Sequence, residues 1–131
     1  MENKVFMEWD SDYELSLETI DNQHRNLVSI INRLYKAHLL GNSEDIISGV
    51  ILELIHYTYY HFSTEEQYFN KLEFYTKKEE HIAKHKKFIE KVLKFKAEIS
   101  KNDKTKIVTL VNFLKDWLVN HILKTDKEFI N

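Results

Sequence analysis

Apolar residues recur at intervals of three and four along most of this chain, the period of a helix with one buried face. The first stripe, Leu27, Ile31 and Leu34, predicts a helix over about 20–40 that stops at Gly41-Asn42, a C-terminal cap and turn. The second, Ile47, Ile51, Leu54 and Thr58, predicts a helix reaching about Asn70. Ser43 supplies its N-cap, and Glu44 and Asp45 complement the dipole in its first turn. Gly49 is an interior weak point that the pattern does not explain. The third stripe, Phe88, Val92, Phe95 and Ile99, follows Thr76-Lys77-Lys78-Glu79, which reads as a capping box. The fourth, Ile107, Leu110, Leu114 and Trp117, follows a polar turn from Ser100 to Lys104. Connections this short join antiparallel neighbours. The predicted fold is therefore all-α, an up-down-up-down antiparallel four-helix bundle over about 20–126. Val5, Phe6, Trp9, Tyr13, Leu15 and Leu17 show no helical period, so residues 1–19 are expected to form an extended N-terminal arm packed across the bundle. Residues 1–131 are expected to be a single domain.

Composition narrows the chemistry. Hydrophobic residues make up 43% of the 131, enough for a core without covalent staples. No cysteine is present, which excludes disulfides and thiolate metal sites and leaves N and O donors for any metal. It also fits a reducing compartment, and a cytoplasmic location is expected. The net charge is −2, and Glu79, Glu80, Glu90 and Glu98 interrupt the lysines between Lys77 and Lys106. A solvated helix face is expected there, with no nucleic-acid partner. No apolar run is long enough for a signal peptide or a membrane span, so no membrane partner is expected, and a monomer is the expected state.

The stripes carry histidines and a glutamate at one end. His24 precedes Leu27 and Ile31 in register, His61 and Glu65 follow Leu54 and Thr58, His81 and His85 precede Phe88 and Val92, and His121 follows Leu114 and Trp117. All point inward. At about 1.5 Å per residue, His24, His61, His85 and His121 also lie near the same height, about 25–30 Å from one end. His121 and Asp126 are five apart and diverge by about 140° on a regular helix, so the helix must end or loosen for Asp126 to turn in. Five imidazoles and two carboxylates would suffice for two adjacent transition metals, with iron, copper and zinc all suited to imidazole. If both carboxylates bridge and one solvent oxygen is shared, one position on an octahedral pair stays open for a small ligand. His38, at the C-terminus of its helix, is expected to serve the dipole there, and His56 should face away from the site. Glu53-x-x-His56 is a single E-x-x-H on the wrong face, read as chance. Asp10-Ser11-Asp12 lacks the glycine and terminal Glu of a calcium loop and is read as a turn.

These pieces together resemble the hemerythrins, in particular the bacterial hemerythrin-like domains. The matching segments are Trp9, Ile20-Asp21-Asn22-Gln23-His24 with Leu27, His61-Phe62-x-x-Glu65, His81-x-x-x-His85 and His121-x-x-x-x-Asp126. The resemblance implies a non-haem di-iron centre that binds O2 reversibly, with azide, NO or other small anions as further ligands. It implies that His81, His85 and His121 hold one iron, and that His24 and His61 hold the other, which keeps the open position. Glu65, Asp126 and an oxo or hydroxo group would bridge them. Leu27, Phe62, Trp117, Ile122 and Leu123 are the candidates for lining an apolar O2 pocket. His-rich ligation is less anionic than carboxylate-rich ligation and stabilises high-valent iron less. Oxygen carriage, storage or delivery is therefore expected rather than an enzyme. The alternatives are an O2- or NO-sensing input domain, a di-iron peroxidase, oxidase or NO reductase, and a zinc site. The acceptors that orient the ligating imidazoles are not legible from sequence.

Overall fold

A short arm leads into four long helices. The computed structural model describes residues 6–71, 76–99 and 105–126, the side chains at 125 and 126 excepted. Val5 and the Ser100–Lys104 turn lie outside the described residues. Helix α1 spans Glu18–Leu39, α2 Glu44–Asn70, α3 Lys78–Ile99 and α4 Thr105–Asn120. Each packs against two neighbours: α1 against α2 and α4, α3 against α2 and α4. This is the square of an antiparallel four-helix bundle. No helix among the described residues is long and apolar enough to cross a membrane.

The stripes predicted from sequence face one another. Leu34, Ile51, Leu54, Ile107, Leu110 and Leu114 are essentially inaccessible to solvent. Burying each such side chain contributes about 1.5–3 kcal/mol. The first turn is closed by Gly41 at φ 68°, the left-handed conformation that glycine adopts without strain. The Asn42 N–H donates to the Ala37 carbonyl and the Gly41 N–H to the His38 carbonyl, each at 3.1 Å, a Schellman cap. Ser43 then caps α2, its hydroxyl accepting the Ile46 N–H at 3.4 Å. The start of α3 differs from the expectation. The Lys77 carbonyl accepts the His81 N–H at 3.0 Å, so Lys77 rather than Thr76 stands at the N-cap position. The shift is one residue, within the ordinary variation of helix ends.

The described part of the arm contains one 3-10 turn, Ser11–Tyr13, capped by the Asp10 carboxylate on the Asp12 N–H at 2.8 Å, and bends again at Ser16, whose φ is 63°. Asn32 on α1 holds it like a strand partner: Oδ1 accepts the Met7 N–H and Nδ2 donates to the Met7 carbonyl, both at 2.8 Å. The buried Asp21 carboxylate accepts the Leu15 N–H at 2.8 Å. Arg25 pairs with Glu14 and lies over the Trp9 ring at 5.0 Å. Met7, which no periodicity marks, is the most buried side chain among the arm's described residues.

Gly49 sits exposed in α2, and a Cβ there would meet nothing within 4 Å. It therefore costs helix stability at a position where a side chain has open space. Gly49→Ala should stabilise the protein by about 0.5–1 kcal/mol, seen as a higher urea midpoint with an unchanged slope. A lower midpoint would show that the glycine has a packing role.

Candidate metal centre

Glu65 projects from α2 into the bundle at one end, fully buried, and the five histidines surround it. Its two oxygens face different groups. Oε1 stands 3.1 Å from His85 Nε2, 3.3 Å from His121 Nε2 and 3.8 Å from His81 Nε2. Oε2 stands 3.5 Å from both His24 Nε2 and His61 Nε2. The donors thus form two groups that share one carboxylate, each with its ligand atoms within 4.8 Å of one another.

The helical register produces this. His61 and Glu65 lie one turn apart on α2, as do His81 and His85 on α3, so each helix presents two donors from one face. α1 contributes His24, and His121 follows directly on the end of α4 at the same level. After Asn120 the helix widens into a π-helical turn, His121–Asp126. Such a turn is wound with i→i+5 rather than i→i+4 bonds, so the backbone at position 126 comes back toward the face of 121 instead of diverging as it would on an α-helix. The Asp126 side chain lies outside the described residues.

Aromatic rings hold three of the imidazoles. Phe62 stacks on His85 with centroids 3.7 Å apart and planes within 3°. Trp117 stacks on His121 at 4.3 Å, and Phe69 on His81 at 4.7 Å. His24 and His61 meet edge to face at 4.5 Å.

Two acceptors that sequence reasoning did not identify fix ring orientation. The His61 Nδ1–H donates to Gln23 Oε1 at 2.7 Å. The Gln23 amide in turn donates to Thr64 Oγ1 at 3.1 Å, and the Thr64 hydroxyl to the Tyr60 carbonyl at 3.1 Å. The His85 Nδ1–H donates to Glu66 Oε2 at 3.0 Å. Partial burial pushes the Glu66 carboxyl above the usual carboxylate range, against the opposing pull of His81 and Lys86. Gln23 and Glu66 each adjoin a ligand candidate in sequence, but their partners lie 38 and 19 residues away. No local signal pairs them.

The arrangement fits a metal. With Nδ1 donating to Glu66, a neutral His85 turns an unprotonated Nε2 toward Glu65 Oε1. Two lone pairs 3.1 Å apart repel, and a cation bound by both removes that repulsion. The His85 and His81 Nε2 atoms stand 3.1 and 3.3 Å from His121 Nε2. Donors about 2.1 Å from one ion and cis to each other stand about 3 Å apart, so these spacings match one coordination sphere.

Beside the donors is an apolar cavity of about 10 Å³, lined by Leu27, Ile31, Leu54, Thr58, Phe62, Phe88, Leu114, Trp117 and Leu118. It lies one turn toward the bundle interior from the ligands, at the lower size limit for one small molecule. The Thr58 hydroxyl is committed to the Leu54 carbonyl at 2.7 Å. Of the pocket candidates, Leu27, Phe62 and Trp117 line this cavity. Ile122 is fully buried and Leu123 half-buried, and neither is part of the lining. His38 is half-buried in the last turn of α1 and His56 is exposed, both away from the cluster. Glu53 is exposed and paired with Arg33 at 2.6 and 2.8 Å.

Residues 15–131 match the family model described as the hemerythrin HHE cation binding domain. The chain is 35% identical over 127 residues to a bacteriohemerythrin of Clostridium acetobutylicum, covering 94% of this chain and 98% of that protein. It is 31% identical over 123 residues to a bacteriohemerythrin of Pseudomonas aeruginosa, covering 94% and 78%. A crystal structure of a hemerythrin mutant with tyrosine in place of a leucine superimposes with a TM-score of 0.82 at 26% identity, covering 95% of this chain and 94% of that one.

Proposed function

The chain belongs to the hemerythrin family, and on that premise we propose that it binds O2 reversibly at a non-haem di-iron centre, for oxygen carriage, storage or delivery. The observation that carries this is the division of labour at Glu65, whose two oxygens each face a separate set of imidazoles. On this reading His81, His85 and His121 hold one iron and His24 and His61 the other. Glu65 bridges them. Asp126 is the second bridging carboxylate, and the π-helical turn that brings its backbone round to the face of His121 supports that role.

A pair of irons, when bound, supplies the two electrons that reversible O2 uptake requires. The chain's own part is to hold the donors apart in two sets, orient the rings and keep water and protons away. Among the described residues the lining of the adjoining cavity offers no carboxyl, imidazole or amine, and its one hydroxyl, Thr58, is committed to the Leu54 carbonyl, so a bound ligand meets no general acid there. That favours carriage over an enzymatic role. The two-imidazole set contributes fewer donors than the three-imidazole set, which leaves room at that iron for O2 or for a small anion such as azide. We propose further that the protein works in the cytoplasm as a single-domain monomer.

Iron-loaded protein should contain two irons per chain. After anaerobic reduction it should gain a charge-transfer spectrum on exposure to air, lose it when O2 is removed, and repeat the cycle with slow decay. Irreversible bleaching on first exposure, or sustained turnover of peroxide with a reductant, would exclude carriage.

A further inference from the structure

One imidazole in each half of the centre, His61 and His85, is backed by a group of different charge. Behind His61 stands Gln23, a neutral amide, itself buried and anchored through Thr64. Behind His85 stands Glu66, whose carboxyl oxygen is 3.0 Å from Nδ1. The Glu66 side chain is 32% exposed and lies in a surface cleft of about 370 Å³ between α2 and α3, beside Tyr59, Ser63, Gln67 and Lys86. Solvent therefore reaches the carboxylate freely, whereas His85, which lies at the floor of the same cleft, is only 2% exposed beneath the Phe62 ring.

A ligating imidazole that donates its second N–H to a carboxylate is a stronger base than one that donates to an amide, and its tautomer is fixed more firmly. We propose that Glu66 is a positioning residue for the three-imidazole half: it holds His85 with Nε2 turned to the metal and makes that half more electron-rich than the half backed by Gln23. The inference rests on the ligand assignment proposed above. It does not depend on O2 being the ligand. Its consequence is an inequality between the irons, with the oxidised state of the three-imidazole iron favoured.

Two substitutions separate hydrogen bonding from charge. Glu66→Gln keeps an acceptor for Nδ1–H and removes the charge, whereas Glu66→Ala removes both. Nitrogen NMR of the metal-free protein reads the His85 tautomer directly. Nδ1 should be protonated in the parent and in Glu66→Gln, and the preference should be lost in Glu66→Ala. In chelator competition Glu66→Ala should lose about tenfold or more in iron retention. The charge effect appears in the reduction potential of the iron-loaded protein. Glu66→Gln should shift the equilibrium toward the reduced form by up to about tenfold, 59 mV for one electron.

A His85 tautomer unchanged in Glu66→Ala, with unchanged iron retention, would overturn the positioning role. An unmoved potential in Glu66→Gln would overturn the charge asymmetry. If all three readouts shift but no reversible oxygenation is seen, Glu66 keeps its role and the O2 reading falls. Because Glu66 is partly exposed, both variants should fold, which circular dichroism verifies. If Glu66→Ala does not, the potential of Glu66→Gln decides, since a merely structural residue replaced by its isostere would leave it unmoved.

Discussion

Glu65→Ala is expected to strip the protein of bound metal while leaving the bundle folded. Glu65 is the residue whose oxygens reach both donor sets, at 3.1–3.8 Å on one side and 3.5 Å on the other. Removing one imidazole would weaken one set, but removing Glu65 weakens both and deletes the anion that offsets two cations. Loss of even an outer partner typically costs about 10–100-fold in metal affinity, so loss of this shared ligand should exceed that range. Metal analysis after dialysis against a mild chelator should find iron falling from two per chain to a small fraction of one. The fold should survive, because a buried carboxylate contributes little net stability to the metal-free protein once its desolvation is counted. Retention of both irons by a folded Glu65→Ala protein would refute the proposed bridging role.

The second large effect is expected at Phe62. Its ring is buried, stacks on His85, and contacts Phe88 and Trp117 with centroids 5.8 and 5.7 Å away. It lines both the apolar cavity and the outer cleft, so its ring stands between the two spaces. Phe62→Ala should cost about 3–5 kcal/mol, the range for deleting a buried aromatic side chain. It should also join the two spaces. Denaturant titration of the metal-free protein measures the first effect. If the proposed oxygenation is correct, the second appears as faster decay of the oxygenated spectrum, since admitted water can protonate and release the ligand. Phe62→Leu should recover much of the stability while leaving part of the leak, because a branched aliphatic fills volume without covering the imidazole face. A Phe62→Ala protein as stable as the parent would show that the ring is not integral to the core.

Much of this arrangement could be foreseen because it obeys helical periodicity. His24, His61, Glu65, His81, His85 and His121 each extend an apolar stripe, so the rule that buries Leu54 and Leu114 also turns these polar side chains inward. The near absence of breakers kept the helices long, and short connections made neighbours antiparallel. Equal counting from the turns then set the donors at one height. Met7, Phe69 and Gln23 escaped that logic. Met7 lies in an arm without period and is buried because Asn32 seizes its backbone. Phe69 and Gln23 fall on inward faces, yet nothing local says that one stacks on His81 and the other accepts from His61.

Alone, the sequence determined which residues face inward, how many helices form and the level at which nitrogen and oxygen donors collect, because repeat period and chain length are local quantities. Tertiary structure decided which oxygen of Glu65 faces which histidines, which rings lock the imidazoles, and that an amide backs one half and a carboxylate the other. Those outcomes depend on distances between separate helices, and only close packing fixes such distances to within a few tenths of an ångström.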